Sequence, residues 1–240
     1  MVRAAMALLT AGCLSVCLAG EKPKPKAGPA KALPKTAAPK PKPKPKPAKL
    51  EPGTYARIRT GKGEVVVRLL VDEAERTVEN FVELAKGERP WKDRQERWVA
   101  RPFYDGLTFH RIEKDSLIQG GCPKGDGTGG PGYEFDDEIS DERKFDKPGL
   151  LAMANSGRDT NGSQFFLTLA PMPHLNTRHT IFGEVVRGLE VVKAISAMAV
   201  KAGASPGIHL AKSPVVIRSV AIEVVGETPK DAPKQGRQGG

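Results

Sequence analysis

The segments Phe109-His110-Arg111-Ile112, Gln119-Gly120-Gly121, Met153-Ala154-Asn155-Ser156-Gly157 and Asn161-Gly162-Ser163-Gln164-Phe165-Phe166 decide how this chain is read. Each sets a polar side chain in an apolar or glycine-rich frame. Phe109 and Ile112 are three residues apart. In a strand, where side chains alternate, they fall on opposite faces and Arg111 shares the side of Phe109. A lone arginine in a strand is as a rule a solvated charge. In a groove, its planar fork donates several directed hydrogen bonds and always stays charged. Asn155 and Gln164 carry amides that need partners when buried. Each is either a structural strut or a groove-lining donor, and the residues alone leave that choice open.

Working outward, short apolar runs alternate with glycine-rich turns at 107–112, 117–120, 149–153, 164–169 and 180–186. Upstream, Tyr55 to Thr60 and Glu64 to Leu70 read as two strands joined by a turn at Gly61-Lys62-Gly63. A helix is predicted from Glu73 to Ala85, because Val78, Phe81, Val82 and Ala85 make an apolar stripe at i, i+3, i+4 and i+7. Gly87 is its stop. Residues 88–101 lack periodicity and read as a surface insertion. A second helix fits Leu189 to Ala197, and a last strand fits Val215 to Val225. Many short strands with two helices predict a mainly β domain. The pattern alone leaves sandwich and barrel open.

Composition divides the 240 residues into unequal parts. Residues 1–20 form a hydrophobic leader, Met1-Val2-Arg3 followed by an apolar run. That run is shorter than the roughly 20 residues a membrane span needs. It reads as a secretory signal peptide or a lipoprotein leader, with Cys13 and Cys17 each in an imperfect lipidation box, or as an uncleaved anchor. Residues 21–52 are a Lys/Pro-rich linker, read as disordered. Proline blocks both helix and sheet ladders, so the segment is expected as an extended spacer, at about 3.1 Å per residue reaching about 90 Å. It reads as a solvated tether or as a contact to acidic lipid or wall polymer. Residues 53–226 form the folded domain, and 227–240 a polar tail, also read as disordered. The net charge of +10 resides in the linker, where residues 21–50 hold ten lysines against Glu21. From Glu51 onward 27 basic residues balance 27 acidic ones. A nucleic-acid-binding domain carries its charge on the fold, so that class is excluded. The chain is expected to be exported to a periplasm or cell envelope, anchored there by lipid or free.

Several motifs carry less than they offer. Gly125-Asp126-Gly127-Thr128-Gly129-Gly130 matches G-x-G-x-x-G, but Pro131-Gly132 follows where a dinucleotide site needs a helix. The loop reads as a tight turn. His110, His174, His179 and His209 lack metal-ligand spacing, so no metal is expected. Ser163 lies outside a nucleophile elbow. Cys122 is the one cysteine of the folded part, which excludes a disulfide framework there; it reads as a small, partly buried apolar residue.

In order and spacing the four opening segments resemble the cyclophilins, a family of peptidyl-prolyl cis-trans isomerases. The resemblance runs from about Tyr55 to Val225 and continues through Pro173-His174-Leu175, His179 and Ile181-Phe182-Gly183-Glu184-Val185-Val186. It implies a closed eight-stranded antiparallel β-barrel capped by two α-helices. It implies rotation about Xaa-Pro bonds, proline-containing polypeptides as partners, no cofactor and a monomeric chain. Residue by residue, Arg111 matches the family's catalytic arginine. Gln119, Ala154, Asn155 and Gln164 match groove residues that hold the substrate backbone. Leu117, Phe166 and Leu175 match the walls of the proline pocket, and His179 the histidine at its edge. Three positions depart. Ser116 stands where most members have a pocket phenylalanine, which implies a thinner wall. His174 replaces the tryptophan of cyclosporin-sensitive members, which implies weak cyclosporin binding. Cys122 replaces a common aspartate, with little effect expected. The resemblance supports two readings: an isomerase assisting the folding of exported proteins, or an exported prolyl-peptide-binding chaperone with weak or no isomerase activity, which Ser116 favours.

Overall fold

The computed structural model describes residues 49–202 and 209–226. The expected leader, nearly all of the Lys/Pro-rich linker and the expected C-terminal tail lie outside the described residues. In chain order, β1 (Gly53–Thr60) and β2 (Gly63–Leu69) precede α1 (Glu75–Lys86). The short strands β3 (Trp91–Lys92) and β4 (Trp98–Val99) follow, then β5 (Thr108–Glu113), β6 (Leu117–Gly120), β7 (Leu150–Met153) and β8 (Phe165–Thr168). A 3-10 turn (Pro173–Leu175) leads to β9 (Ile181–Arg187), α2 (Leu189–Ser196), β10 (Val200–Ala202) and β11 (His209–Val225).

Eight strands close on themselves in the order β1-β2-β9-β7-β8-β6-β5-β11, and β11 returns to pair with β1. Closure decides between sandwich and barrel, and it leaves the ring without an exposed edge. The pairings in the ring are antiparallel. The short β10 lies outside the ring against β11. β11 begins six residues earlier than the sequence pattern indicates. Its register against β5 shifts between Leu210 and Val215, and that irregularity hides the first part of the strand from a period-two reading.

The barrel interior is filled mainly by aromatic and β-branched side chains, with α1 laid against it. Phe81 of α1 sits 4.9 Å from Tyr104, 5.3 Å from Phe182 and 5.7 Å from Phe165, centroid to centroid. The expected stripe of α1 holds at Val78, Phe81 and Ala85, with Val82 half-buried against the same core, and Leu84 is buried as well. Gly87 ends the helix in the left-handed region at φ 80°, its N–H reaching back to Glu83 and Leu84 carbonyls. At the other end no local side chain caps α1. The carboxylate of Glu138 does so from a distant loop, accepting the backbone N–H of Arg76 (3.1 Å) and Thr77 (2.8 Å).

Residues 88–101, mostly exposed, hold a small hairpin that the sequence pattern did not reveal. Trp91 is buried against Phe103 and donates to the Arg101 carbonyl at 2.9 Å, while Trp98 is 57% exposed. Two-residue strands are too short to leave a periodic signal.

Strands β7 and β8 are buried on both faces. Leu151, Met153, Phe165 and Leu167 point into the main core, whereas Leu150, Ala152 and Phe166 belong to a second apolar cluster with Leu117, Phe145, Met172 and Ile181. That second cluster, outside the barrel, is the floor on which the groove described next is built.

Candidate active site

The hairpin of β5 and β6 arranges four side chains as two cross-strand pairs. Arg111 lies opposite Gln119, and Glu113 opposite Leu117. Residues two apart on a strand share a face, so the four make one patch on the outside of the barrel. Ile112 and Ile118 face the core between them. Phe109 also enters the core, which corrects the expectation that Arg111 shares its side. Strict alternation fails across His110, in the stretch where β5 meets the shifted register of β11. The shift frees Arg111 to face outward between Gln119 and Leu210, its partners on the two flanking strands.

The polar wall is one chain of hydrogen bonds. Arg111 Nη1 donates to Gln119 Oε1 at 2.9 Å, and Gln119 Nε2 donates to Gln164 Oε1 at 2.9 Å. Gln164 Nε2 donates in turn to the carbonyls of Gly127 (2.9 Å) and Gly129 (2.8 Å). At the other end, Arg111 Nη2 pairs with the carboxylate of Glu113. The apolar wall is Leu117, Ala154, Phe166, Met172 and Leu175. Phe166 stacks on Phe145 at 5.9 Å and meets the ring of His179 edge-on at 5.4 Å. His179 Nδ1 lies 3.0 Å from the Met153 carbonyl oxygen, and burial pushes its pKa below the ordinary imidazole value. The two walls enclose a groove of about 500 Å³.

Nine of the ten expected site residues line this groove: Arg111, Leu117, Gln119, Ala154, Asn155, Phe166, His174, Leu175 and His179. Gln164 lines the adjoining cavity and acts here as a strut, its amide shared between Gln119 and the glycine-rich loop. The Asn155 amide is a strut as well, donating to the Arg178 carbonyl at 2.8 Å and toward Asp137 at 3.3 Å. Ser116 does not reach the groove; Met172 and Glu113 do, and neither was expected. Glu113 was legible as the residue two beyond Arg111 on one strand face. Met172 was not, because it arrives from a loop.

The glycine-rich loop has no helix after it and borders the groove through Asp126, Gly127 and Thr128. Asp126 is held below the usual carboxylate range by hydrogen bonds from the backbone N–H and hydroxyl of Thr128. Cys122 is fully buried, and its sulfur accepts the backbone N–H groups of Gly127 and Gly129, each at 3.3 Å. It is therefore the anchor of the loop rather than a passive filler. His110 lies beneath the same loop, buried, and burial lowers its pKa.

This geometry agrees with what the chain is similar to. The family model for cyclophilin-type peptidyl-prolyl cis-trans isomerases matches residues 55–222. Peptidyl-prolyl cis-trans isomerase A of Mycobacterium tuberculosis is 48% identical over 170 residues, covering 70% of this chain and 91% of that protein. Peptidyl-prolyl cis-trans isomerase B of Streptomyces anulatus is 49% identical over 173 residues, covering 70% and 96%. A cyclophilin-type isomerase of Cryptosporidium parvum, solved also in the presence of the dipeptide Ala-Pro, aligns with a TM-score of 0.60 at 32% identity, covering 71% of this chain and 97% of that one. An arginine tied into a polar wall, facing an apolar pocket on a closed barrel, and relatives of this closeness lead to one conclusion: the chain belongs to the cyclophilin-type peptidyl-prolyl cis-trans isomerases.

Proposed function

We propose that the groove isomerises Xaa-Pro bonds of exported polypeptides, with Arg111 as the catalytic residue and the Leu117, Phe166 and Leu175 walls as the seat of the proline ring. A planar peptide bond resists rotation by about 18–20 kcal/mol, and uncatalysed prolyl exchange takes tens to hundreds of seconds. At the twisted transition state amide resonance is lost, and the prolyl nitrogen becomes pyramidal with a lone pair. A donor from Arg111 to that nitrogen is stronger in the twisted state than in the planar one, and only such a difference accelerates a reaction. A fixed cation at the site costs no reorganisation during rotation. Removing about 6–7 kcal/mol corresponds to roughly 10⁵-fold. The apolar walls hold the ring while the preceding carbonyl swings.

One observation carries this reading: the guanidinium is anchored at both ends in a groove whose opposite wall is apolar. A coupled assay on a short Xaa-Pro peptide, comparing the wild type with Arg111→Ala, tests it. An unchanged rate in the variant overturns it.

The exported location rests on the leader alone. We place the mature chain, as a monomer, in the periplasm or envelope, with residues 21–52 as its tether. Mass spectrometry of the mature N-terminus, with fractionation in and out of detergent, tests the location and separates lipidation from simple cleavage. Proline-containing polypeptides are the partners, and cyclosporin is bound weakly because His174 offers a smaller ring than an indole.

A further inference from the structure

We infer that Glu113 is a positioning residue for Arg111, an inference that rests on the catalytic reading of Arg111 given above. A guanidinium is planar, and its orientation is set by how many of its nitrogens are tied. Nη1 is tied to Gln119, which is anchored through Gln164 to the glycine-rich loop. With that bond alone the group swings about one point. The Nε atom is buried, has no partner among the described residues and supplies no second tie. The carboxylate of Glu113 on Nη2 is the second point. Two anchors on two nitrogens fix both the plane and the rotation of the group within it.

The carboxylate is suited to this and to little else. It is presented two residues along the same strand, so the backbone itself sets its offset from Arg111. The Glu113 and Arg111 side chains are 28% and 26% exposed, so the pair is partly shielded yet still hydrated. A pair at that depth adds little to stability. Its value is directional, because charge-assisted hydrogen bonds are short and geometrically demanding. Asp126, the other carboxylate lining the groove, is occupied by Thr128. Among the described residues Glu113 is the carboxylate paired with Arg111. Misplacing a catalytic group by a fraction of a bond length lowers turnover with little effect on ground-state binding.

The test measures kcat and KM separately for Glu113→Gln and Glu113→Leu on an Xaa-Pro peptide. It also records the Arg111 Nε–H resonance in the ¹H–¹⁵N spectrum of the folded protein. Gln keeps an acceptor for Nη2, so a loss of no more than about threefold in kcat is expected; Leu keeps bulk but no acceptor, so about tenfold or more is expected, with KM nearly constant. The Arg111 resonance should broaden or shift in the Leu variant and stay close to the wild type in the Gln variant. In the Arg111→Ala background, Glu113→Leu should cost nothing further. A Leu variant as active as the wild type, a faster one, or a Gln variant as impaired as Leu overturns the inference. If Arg111→Ala itself retains activity, the catalytic reading fails instead, and the two failures are told apart by that one variant.

Discussion

Arg111 is held by an acceptor at each end, and a substitution there separates charge from geometry. Arg111→Ala should lose most of the isomerase activity with a melting temperature close to that of the wild type, because the side chain sits outside the core. Loss of activity with an equal loss of stability would argue against a catalytic role. Arg111→Lys keeps the charge but offers a point cation that cannot span Gln119 and Glu113 together, so it should recover little of the rate. At the pocket, Ser116→Phe adds an aromatic wall where the serine falls short, worth about 1 kcal/mol or more of substrate binding if the ring seats. His174→Trp should raise cyclosporin affinity by presenting an indole at the groove edge; titration calorimetry on the wild type and the variant checks this. The buried rings of His110 and His179 have pKa values below the ordinary imidazole value of about 6.5. Between the folded and unfolded values the unfolded chain binds the proton and the fold does not. Stability therefore falls as pH drops below about 6.5, and these groups add nothing further once pH is below their folded values. Glu73, Asp93 and Asp126, whose pKa values the fold lowers, lose their contribution only nearer pH 4 and below. His110→Leu should therefore flatten the fall in melting temperature between pH 7.5 and 5.5. Parallel curves for variant and wild type would refute the assignment.

At the scale of elements, the glycine-rich loop and α1 are both held by groups remote in sequence or easily misjudged. The loop hangs on the Cys122 sulfur through the N–H groups of Gly127 and Gly129, and on the Gln164 amide through the carbonyls of the same two residues. Cys122→Ala removes both acceptor contacts at once. We expect a several-fold rise in KM, a smaller change in kcat, and faster hydrogen exchange at the Gly127 and Gly129 amides. Unaltered exchange would show that Gln164 alone suffices. For α1, Glu138→Ala strips the cap from the first turn and should cost about 1–2 kcal/mol in denaturant unfolding. Phe81→Ala, which empties the centre of the aromatic cluster, should cost about 3–5 kcal/mol. The stripe of α1 and the glycine after it were legible because local periodicity and the left-handed stop act within the helix. Its cap was not, because Glu138 reaches it from a distant loop.

Along the whole chain, charge and chemistry fall in different segments of the sequence. The lysines that make the chain basic lie in residues 21–50, and the groove residues lie between His110 and Leu210. Deleting 21–50 should leave kcat and KM on a short neutral peptide unchanged, and a large drop would show that the segment takes part in the site. The division between what was legible and what was not follows the range of the forces. Most strand and helix periods and the neutrality of the folded part were legible along the chain, because alternation and composition are properties of neighbours; the groove residues were legible only through the resemblance that the four spaced motifs carry. The sequence by itself could not determine ring closure, since pairing β1 with β11 joins segments about 160 residues apart. Nor could it place Phe109 in the core and Arg111 on the outer face, because the shift against β11 breaks the alternation there. The struts Asn155 and Gln164, the sulfur anchor of the loop and the second hold on the guanidinium were likewise decided by the tertiary structure. Each is a hydrogen bond whose existence depends on which distant donor or acceptor the closed barrel brings within 3 or so ångströms.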